Sequence, residues 1–236
     1  MSKSLSQNDR ESLDRDGFLA LTGLIGVRQV AMMKSRLEEL LDASTQDHAG
    51  TLIIGGLLAD PVFDQAWNHP RIQDAIESVL GNEYFLVGVT SRGLRSGHGQ
   101  QALHADWGGQ GEPGVWYLCH AICALVDFTS ENGATRVVPQ SHRNPWMMKG
   151  IRDARQRHPK EVQLLGKAGT VFILNVHCLH SAVQNSSPHP RLAIFSCFSR
   201  CDSPLLVQNT HVNPTPDVLA RFSETERRRL THEFSE

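Results

Sequence analysis

The run Thr170-Val171-Phe172-Ile173-Leu174-Asn175-Val176-His177-Cys178-Leu179-His180 opens as a buried β-strand and ends in an imidazole. Arg191 follows, opening a second run, Arg191-Leu192-Ala193-Ile194-Phe195-Ser196-Cys197-Phe198-Ser199. In an extended chain residues two apart share a face, so Arg191, Ala193, Phe195 and Cys197 line one side. An arginine at the head of an otherwise apolar face is expensive to bury unpaired. A carboxylate is the partner that fits its forked donors.

Upstream of these runs, short β-prone segments separated by turn residues continue back to Tyr84. The candidates are Tyr84–Thr90, Gln101–Asp106, Val115–Phe128, Thr135–Pro139, Val162–Leu165, Thr170–Val176 and Arg191–Ser199. Glu131-Asn132-Gly133 between two of them reads as a hairpin turn. Before Tyr84 the period is helical. Leu13, Phe18, Leu21 and Leu24 lead into Val30, Met33, Leu37, Leu40 and Leu41, predicting helix over Asn8–Asp42. A shorter helix is expected over Asn68–Leu80, stopped by Gly81-Asn82. Asn144–Lys160 reads as a polar loop or short helix, and Ser223–Thr231 as a charged terminal helix. Helices first and then seven short strands predict an antiparallel sandwich or barrel with helices packed on its outside.

Within this frame His104-Ala105-Asp106 places two metal-binding side chains on one face of a strand, with Ala105 turned away. A compact site needs its third donor from a distant strand, and His180, 74 residues after Asp106, ends one. Two imidazoles and one carboxylate are the ligand set of the facial triad that holds Fe(II) and leaves three positions open. His177 is the rival third donor. His98 and His120 have no partner pattern and read as incidental.

Three segments together resemble the phytanoyl-CoA dioxygenase family. They are His104-Ala105-Asp106-Trp107; Glu131-Asn132-Gly133-Ala134-Thr135-Arg136-Val137-Val138-Pro139-Gln140-Ser141-His142-Arg143; and His180 followed by Asn185 and Arg191. The opening Asp16-Gly17-Phe18 is similar to the start of that family, so the resemblance runs from about residue 10 to residue 230. It implies a mainly β fold, the double-stranded β-helix (jelly-roll or cupin-like), with N-terminal and C-terminal helices packed outside. It also implies Fe(II), 2-oxoglutarate as cosubstrate and O2, with conversion of 2-oxoglutarate to succinate and CO2.

By the same resemblance His104, Asp106 and His180 bind iron and Arg191 binds the far carboxylate of the cosubstrate. Gln101 and Arg92 fall where the family often places cosubstrate-pocket residues. His177 lacks the spacing to Asn185 and Arg191 that His180 has, so His180 is the favoured ligand. Gln140 departs from the family's usual Gly in this turn. Asp106 stands where related halogenases carry a small residue, which implies a hydroxylase-type enzyme. The implied substrate is a small organic molecule, oxidised in secondary-metabolite tailoring or small-metabolite catabolism. An acyl-CoA hydroxylase of the same family and a cupin-type metalloenzyme without 2-oxoglutarate are the alternatives. Trp107, Trp116 and Trp146 are candidates either to line a substrate pocket or to fill core, and His142 reads as structural.

The composition sets limits. With 23 Lys and Arg against 25 Asp and Glu, the net charge of −2 gives no electrostatic reason to expect nucleic acid or an anionic membrane as partner. No apolar run approaches the roughly 18 residues needed to span a bilayer. The polar, Ser-rich start lacks a signal pattern, and a cytoplasmic protein is expected. The five cysteines show no Cys-x-x-Cys spacing and read as free buried thiols. One domain is expected over residues 1–236, with a helical region at 8–82, a β-helix core at 83–200 and a tail at 201–236.

Overall fold

The computed structural model describes residues 4–44, 49–107, 114–144, 153, 156–204 and 212–231. Its main sheet has five antiparallel strands: β1 (Phe18–Leu21), β3 (Tyr84–Ser91), β5 (Leu118–Ala124), β8 (Val171–Asn175) and β10 (Ala193–Arg200). They lie in the order β1-β8-β5-β10-β3. A smaller sheet orders β7 (Val162–Gln163), β6 (Arg136–Val137) and β9 (His180–Ser181). A third pairs β2 (Thr51–Leu52) with β4 (Gly93–Leu94). This is the double-stranded β-helix expected from the resemblance.

Alternation along the central strands builds two cores. Cys119, Ala121 and Cys123 of β5, with Val171 and Ile173 of β8, face outward and join Met33, Leu37, Ile72 and Ile76. Those partners come from helices α2 (Val27–Asp42) and α4 (Pro70–Leu80) on the outer face. Ile122, Phe172, Leu174 and Ala193 face inward and meet Phe128, Ala134 and Val137 between the sheets.

The first helix is shorter than its sequence period predicts. Helix α1 (Gln7–Asp16) opens on a capping box between Ser6 and Asp9 and stops at Gly17, which takes φ +80°. A Cβ at Gly17 would overlap the thiol of Cys178. Phe18 to Leu21 then leave as β1 and pair with β8, Phe18 opposite Leu174. The helical region expected at 8–82 therefore also holds β1 and β2. Its later helix divides into α3 (Gln65–Asn68) and α4, with His69 as the α4 N-cap and Gly81 at its end.

Other expectations are trimmed. Gln101–Asp106 contributes an isolated bridge at His104 rather than a full strand, and Arg191 bridges Leu94 before β10 begins. Asn132 does form a turn: its side chain accepts from Thr129 N–H and donates to the Asp127 carbonyl. Yet β5 and β6 lie in different sheets, so that turn is a crossover and not a hairpin. Two C-terminal helices, α5 (Pro216–Leu219) and α6 (Glu224–Thr231), pack outside. Most of the loop expected at Asn144–Lys160 lies outside the described residues.

Candidate metal and cosubstrate site

His104 and His180 exchange both backbone hydrogen bonds, at 3.0 and 2.8 Å. In such a directly opposed antiparallel pair the side chains leave on one face, and the rings stand 4.7 Å apart. Each ring is oriented through its second nitrogen. His104 Nδ1 lies 2.9 Å from the Ala102 carbonyl and His180 Nδ1 lies 2.9 Å from the Cys178 carbonyl. A carbonyl can only accept, so Nδ1 carries the proton and the Nε2 lone pairs are free. Asp106 completes the group, with Oδ1 3.4 Å from His104 Nε2 and 3.7 Å from His180 Nε2. All three donor atoms lie within 4.8 Å of one another, a span that one ion can bridge.

The electrostatics match that chemistry. Burial pushes the Asp106 carboxyl up, but the hydrogen bond that His104 donates once protonated and the charges of the three protonated rings outweigh it and set it at about 2. His104 is raised, first by its bond to Asp106, whereas burial lowers His180. At neutral pH the group offers a carboxylate and basic imidazole nitrogens.

Arg191 lies deeper. It is only 2% exposed, and its guanidinium sits 4.9 Å over the ring of Phe128 in the inner core. The guanidinium's one hydrogen bond among the described residues is a long one, Nη1 to the Arg92 carbonyl at 3.4 Å, and Nε has no partner. Burial lowers it to about 10, still charged at neutral pH. A desolvated, under-bonded guanidinium behind a two-nitrogen, one-oxygen donor set fits a carboxylate reaching inward from a metal.

The remaining predicted residues divide. Gln101 Oε1 accepts from the Ala182 N–H at 3.2 Å, so that oxygen tethers the chain beside His180. Arg92 is exposed, and its charge reaches His120 and Cys197. Trp107 is buried and stacks on Tyr117 at 4.6 Å, while Trp116 packs on His142 and His177. Trp146 lies outside the described residues.

His177 is engaged at both nitrogens, Nδ1 with Asn175 Oδ1 at 2.8 Å and Nε2 with the Tyr117 N–H at 3.3 Å. His142 is structural: Nε2 meets the Asp14 carbonyl and Nδ1 meets Cys178 Sγ, both at 3.1 Å.

His120 is not incidental. Its Nε2 lies 3.8 Å from Asp106 Oδ2, and burial lowers the ring to about 4. Alternation in β5 was the available signal, since His120 shares a face with Leu118 and Ile122. Arg136 was missed as well. It is buried and bonds to Ser181 Oγ and to the carbonyls of Gln101 and Gln156.

A jelly-roll barrel with this donor cluster and the under-bonded Arg191 guanidinium buried inside is the arrangement of the non-haem iron oxygenases. Residues 13–193 match the family described as phytanoyl-CoA dioxygenase (PhyH), and the chain belongs to that family. Ectoine dioxygenase of Bordetella bronchiseptica is 24% identical over 257 residues, covering 92% of this chain and 82% of the relative.

Two solved structures share the fold. HygX from Streptomyces hygroscopicus, with nickel and 2-oxoglutarate bound, has a TM-score of 0.69 at 19% identity, over 84% of this chain and 88% of its own. EctD from S. alaskensis with bound Fe has a TM-score of 0.67 at 23% identity, over 84% and 77%.

Proposed function

We propose that His104 Nε2, Asp106 Oδ1 and His180 Nε2 hold one Fe(II) ion and that Arg191 receives the distal carboxylate of 2-oxoglutarate. The protein is an Fe(II)- and 2-oxoglutarate-dependent dioxygenase, as its family membership and relatives support. The observation that carries the site assignment is the convergence of three donors within 4.8 Å. When bound, iron and cosubstrate supply the oxidation of a substrate C–H bond, coupled to decarboxylation of 2-oxoglutarate to succinate and CO2.

The chain's own work is positioning. The Ala102 and Cys178 carbonyls hold both imidazoles as the tautomer that ligates through Nε2. Arg191 fixes the cosubstrate's far end by paired donors, which orients its other end toward the metal. Phe172, Leu174 and Ile122 form a dry wall around that path. Trp107, next to Asp106 in sequence, and its partner Tyr117 offer an aromatic wall where a small organic substrate would lie. One relative is named for ectoine, and a small metabolite of that scale suits this chain.

Residues 1–236 act as one domain on this reading. Five free cysteines support a cytoplasmic setting. Among the described residues no helix is long and apolar enough to cross a membrane.

The test is anaerobic addition of Fe(II) and 2-oxoglutarate, followed by oxygen. A weak visible charge-transfer band and oxygen-dependent succinate are expected. Neither appearing at saturating ligand would sink the assignment. No 2-oxoglutarate binding by the wild-type protein would favour a cupin-type enzyme that does not use it, whereas retained affinity in Arg191→Ala would place the far carboxylate elsewhere.

A further inference from the structure

Asp106 presents its two oxygens to different neighbours. Oδ1 faces the two ligand imidazoles at 3.4 and 3.7 Å, while Oδ2 faces His120 Nε2 at 3.8 Å. His120 enters the barrel from β5, directly opposite Cys197 of β10, with the ring of Phe195 edge-on at 6.1 Å. It stands outside the trio whose donor atoms lie within 4.8 Å, so it is not a fourth ligand. Its ring makes no hydrogen bond to another described residue, although its side chain is only 17% exposed. A polar ring buried to that degree and aimed at one carboxylate oxygen has a job there.

Resting on the iron reading above, we propose that His120 is a positioning residue that holds Asp106 to one-oxygen coordination. A carboxylate next to a divalent ion can bind through one oxygen or both. Chelation through both would occupy one of the three positions that the triad leaves open for cosubstrate and oxygen. An N–H donated to Oδ2 opposes this by drawing that oxygen away from the metal. Ordinary N–H···O geometry requires the two atoms to come roughly 1 Å closer. Rotation about the Asp106 Cβ–Cγ bond, a soft torsion, supplies that movement.

His120→Leu removes the donor and suits the apolar surroundings, whereas His120→Gln keeps an N–H at a similar reach. Three quantities separate them: Fe(II) affinity without cosubstrate, the energy of the visible band with 2-oxoglutarate, and the ratio of succinate to oxidised product. By letting both carboxylate oxygens bind, His120→Leu is expected to tighten Fe(II) binding several-fold without cosubstrate, shift the band and raise succinate in excess of product. His120→Gln reverses most of each. Should the Leu variant not fold, His120→Asn, polar but too short to reach Oδ2, is expected to show the same changes.

Wild-type Fe(II) affinity and band energy in folded Leu or Asn variants would overturn the proposal. So would a defect confined to the cosubstrate KM, which would mean that the ring serves 2-oxoglutarate. Failure of the wild-type protein itself to take up Fe(II) is a different result, and it would bring down the iron reading on which this one rests.

Discussion

Arg136 and Glu161 form an ion pair, Nη1 to Oε2 at 3.2 Å, with side chains 1% and 3% exposed. The same guanidinium donates to Ser181 Oγ at 2.7 Å and to the Gln101 carbonyl at 2.9 Å. Ser181 follows His180, and Gln101 leads into His104. One buried cation therefore ties together the two backbone segments that carry the imidazoles. Glu161 is in turn held by Arg157 and by the His158 N–H.

Arg136→Met takes one of two arginines from the buried Glu161, with Arg157 still 2.7 Å away, so the cost should stay below the roughly 3–5 kcal/mol of a fully uncompensated buried charge. Urea unfolding should register that loss, and Fe(II) affinity should fall with it. Arg136→Met combined with Glu161→Leu removes the weakened carboxylate as well. It should restore much of the stability but not the metal affinity, because Gln101 and Ser181 stay untied. Full recovery of both would mean that the guanidinium serves the fold alone.

His177 and His180 sit three residues apart, and the ring contacts separate them. His180→Ala should abolish Fe(II) binding measured by anaerobic titration. His177→Phe should keep it, at a stability cost of about 1–2 kcal/mol for the lost hydrogen bonds. The reverse pattern would move the third ligand to His177.

The convergence of His104, Asp106 and His180 and the burial of Arg191 were legible because these residue types are costly to bury idly and stand in a recognisable order. Strands β3, β5, β8 and β10 were legible through their runs of β-branched and aromatic residues. Strand β1 was not, because Phe18, Leu21 and Leu24 keep a helical spacing that masks the break. The decisive residue there is Gly17, whose left-handed conformation and close approach to Cys178 are tertiary facts. His120 escaped for a similar reason. Alone it has no motif, and its meaning comes from β5 pairing with β8 and β10, which turns it toward Asp106.

Gln140 occupies the left-handed region at φ +66°, where the resembling family usually has glycine. Its N–H donates to the Asp16 carbonyl, and its own carbonyl accepts from Arg143, so the turn is fixed by the backbone. A left-handed non-glycine residue costs roughly 1–2 kcal/mol, and the extra unfolded-state freedom of glycine returns part of that. Gln140→Gly should therefore stabilise the protein by about 0.5–1 kcal/mol with Fe(II) affinity unchanged. A lower Tm would show that the glutamine side chain contributes a contact that outweighs its strain.

Arg191 carries the last test, because its burial sets fold stability against function. Burial lowers its pKa to about 10, which means that the charged form is less favourable in the folded chain than in the unfolded one. The sign follows from proton linkage. At neutral pH both states keep the proton and the folded state bears the whole desolvation penalty, which fades only as pH rises above about 10. Arg191→Met fills similar volume without charge. Without ligands it should be more stable than wild type by roughly 1–3 kcal/mol in urea at pH 7.5, since an under-bonded buried donor group is gone. With Fe(II) under anaerobic conditions, 2-oxoglutarate should raise the wild-type Tm by mass action and leave the Arg191→Met Tm unmoved. An equal rise in both proteins would place the cosubstrate's far carboxylate somewhere else.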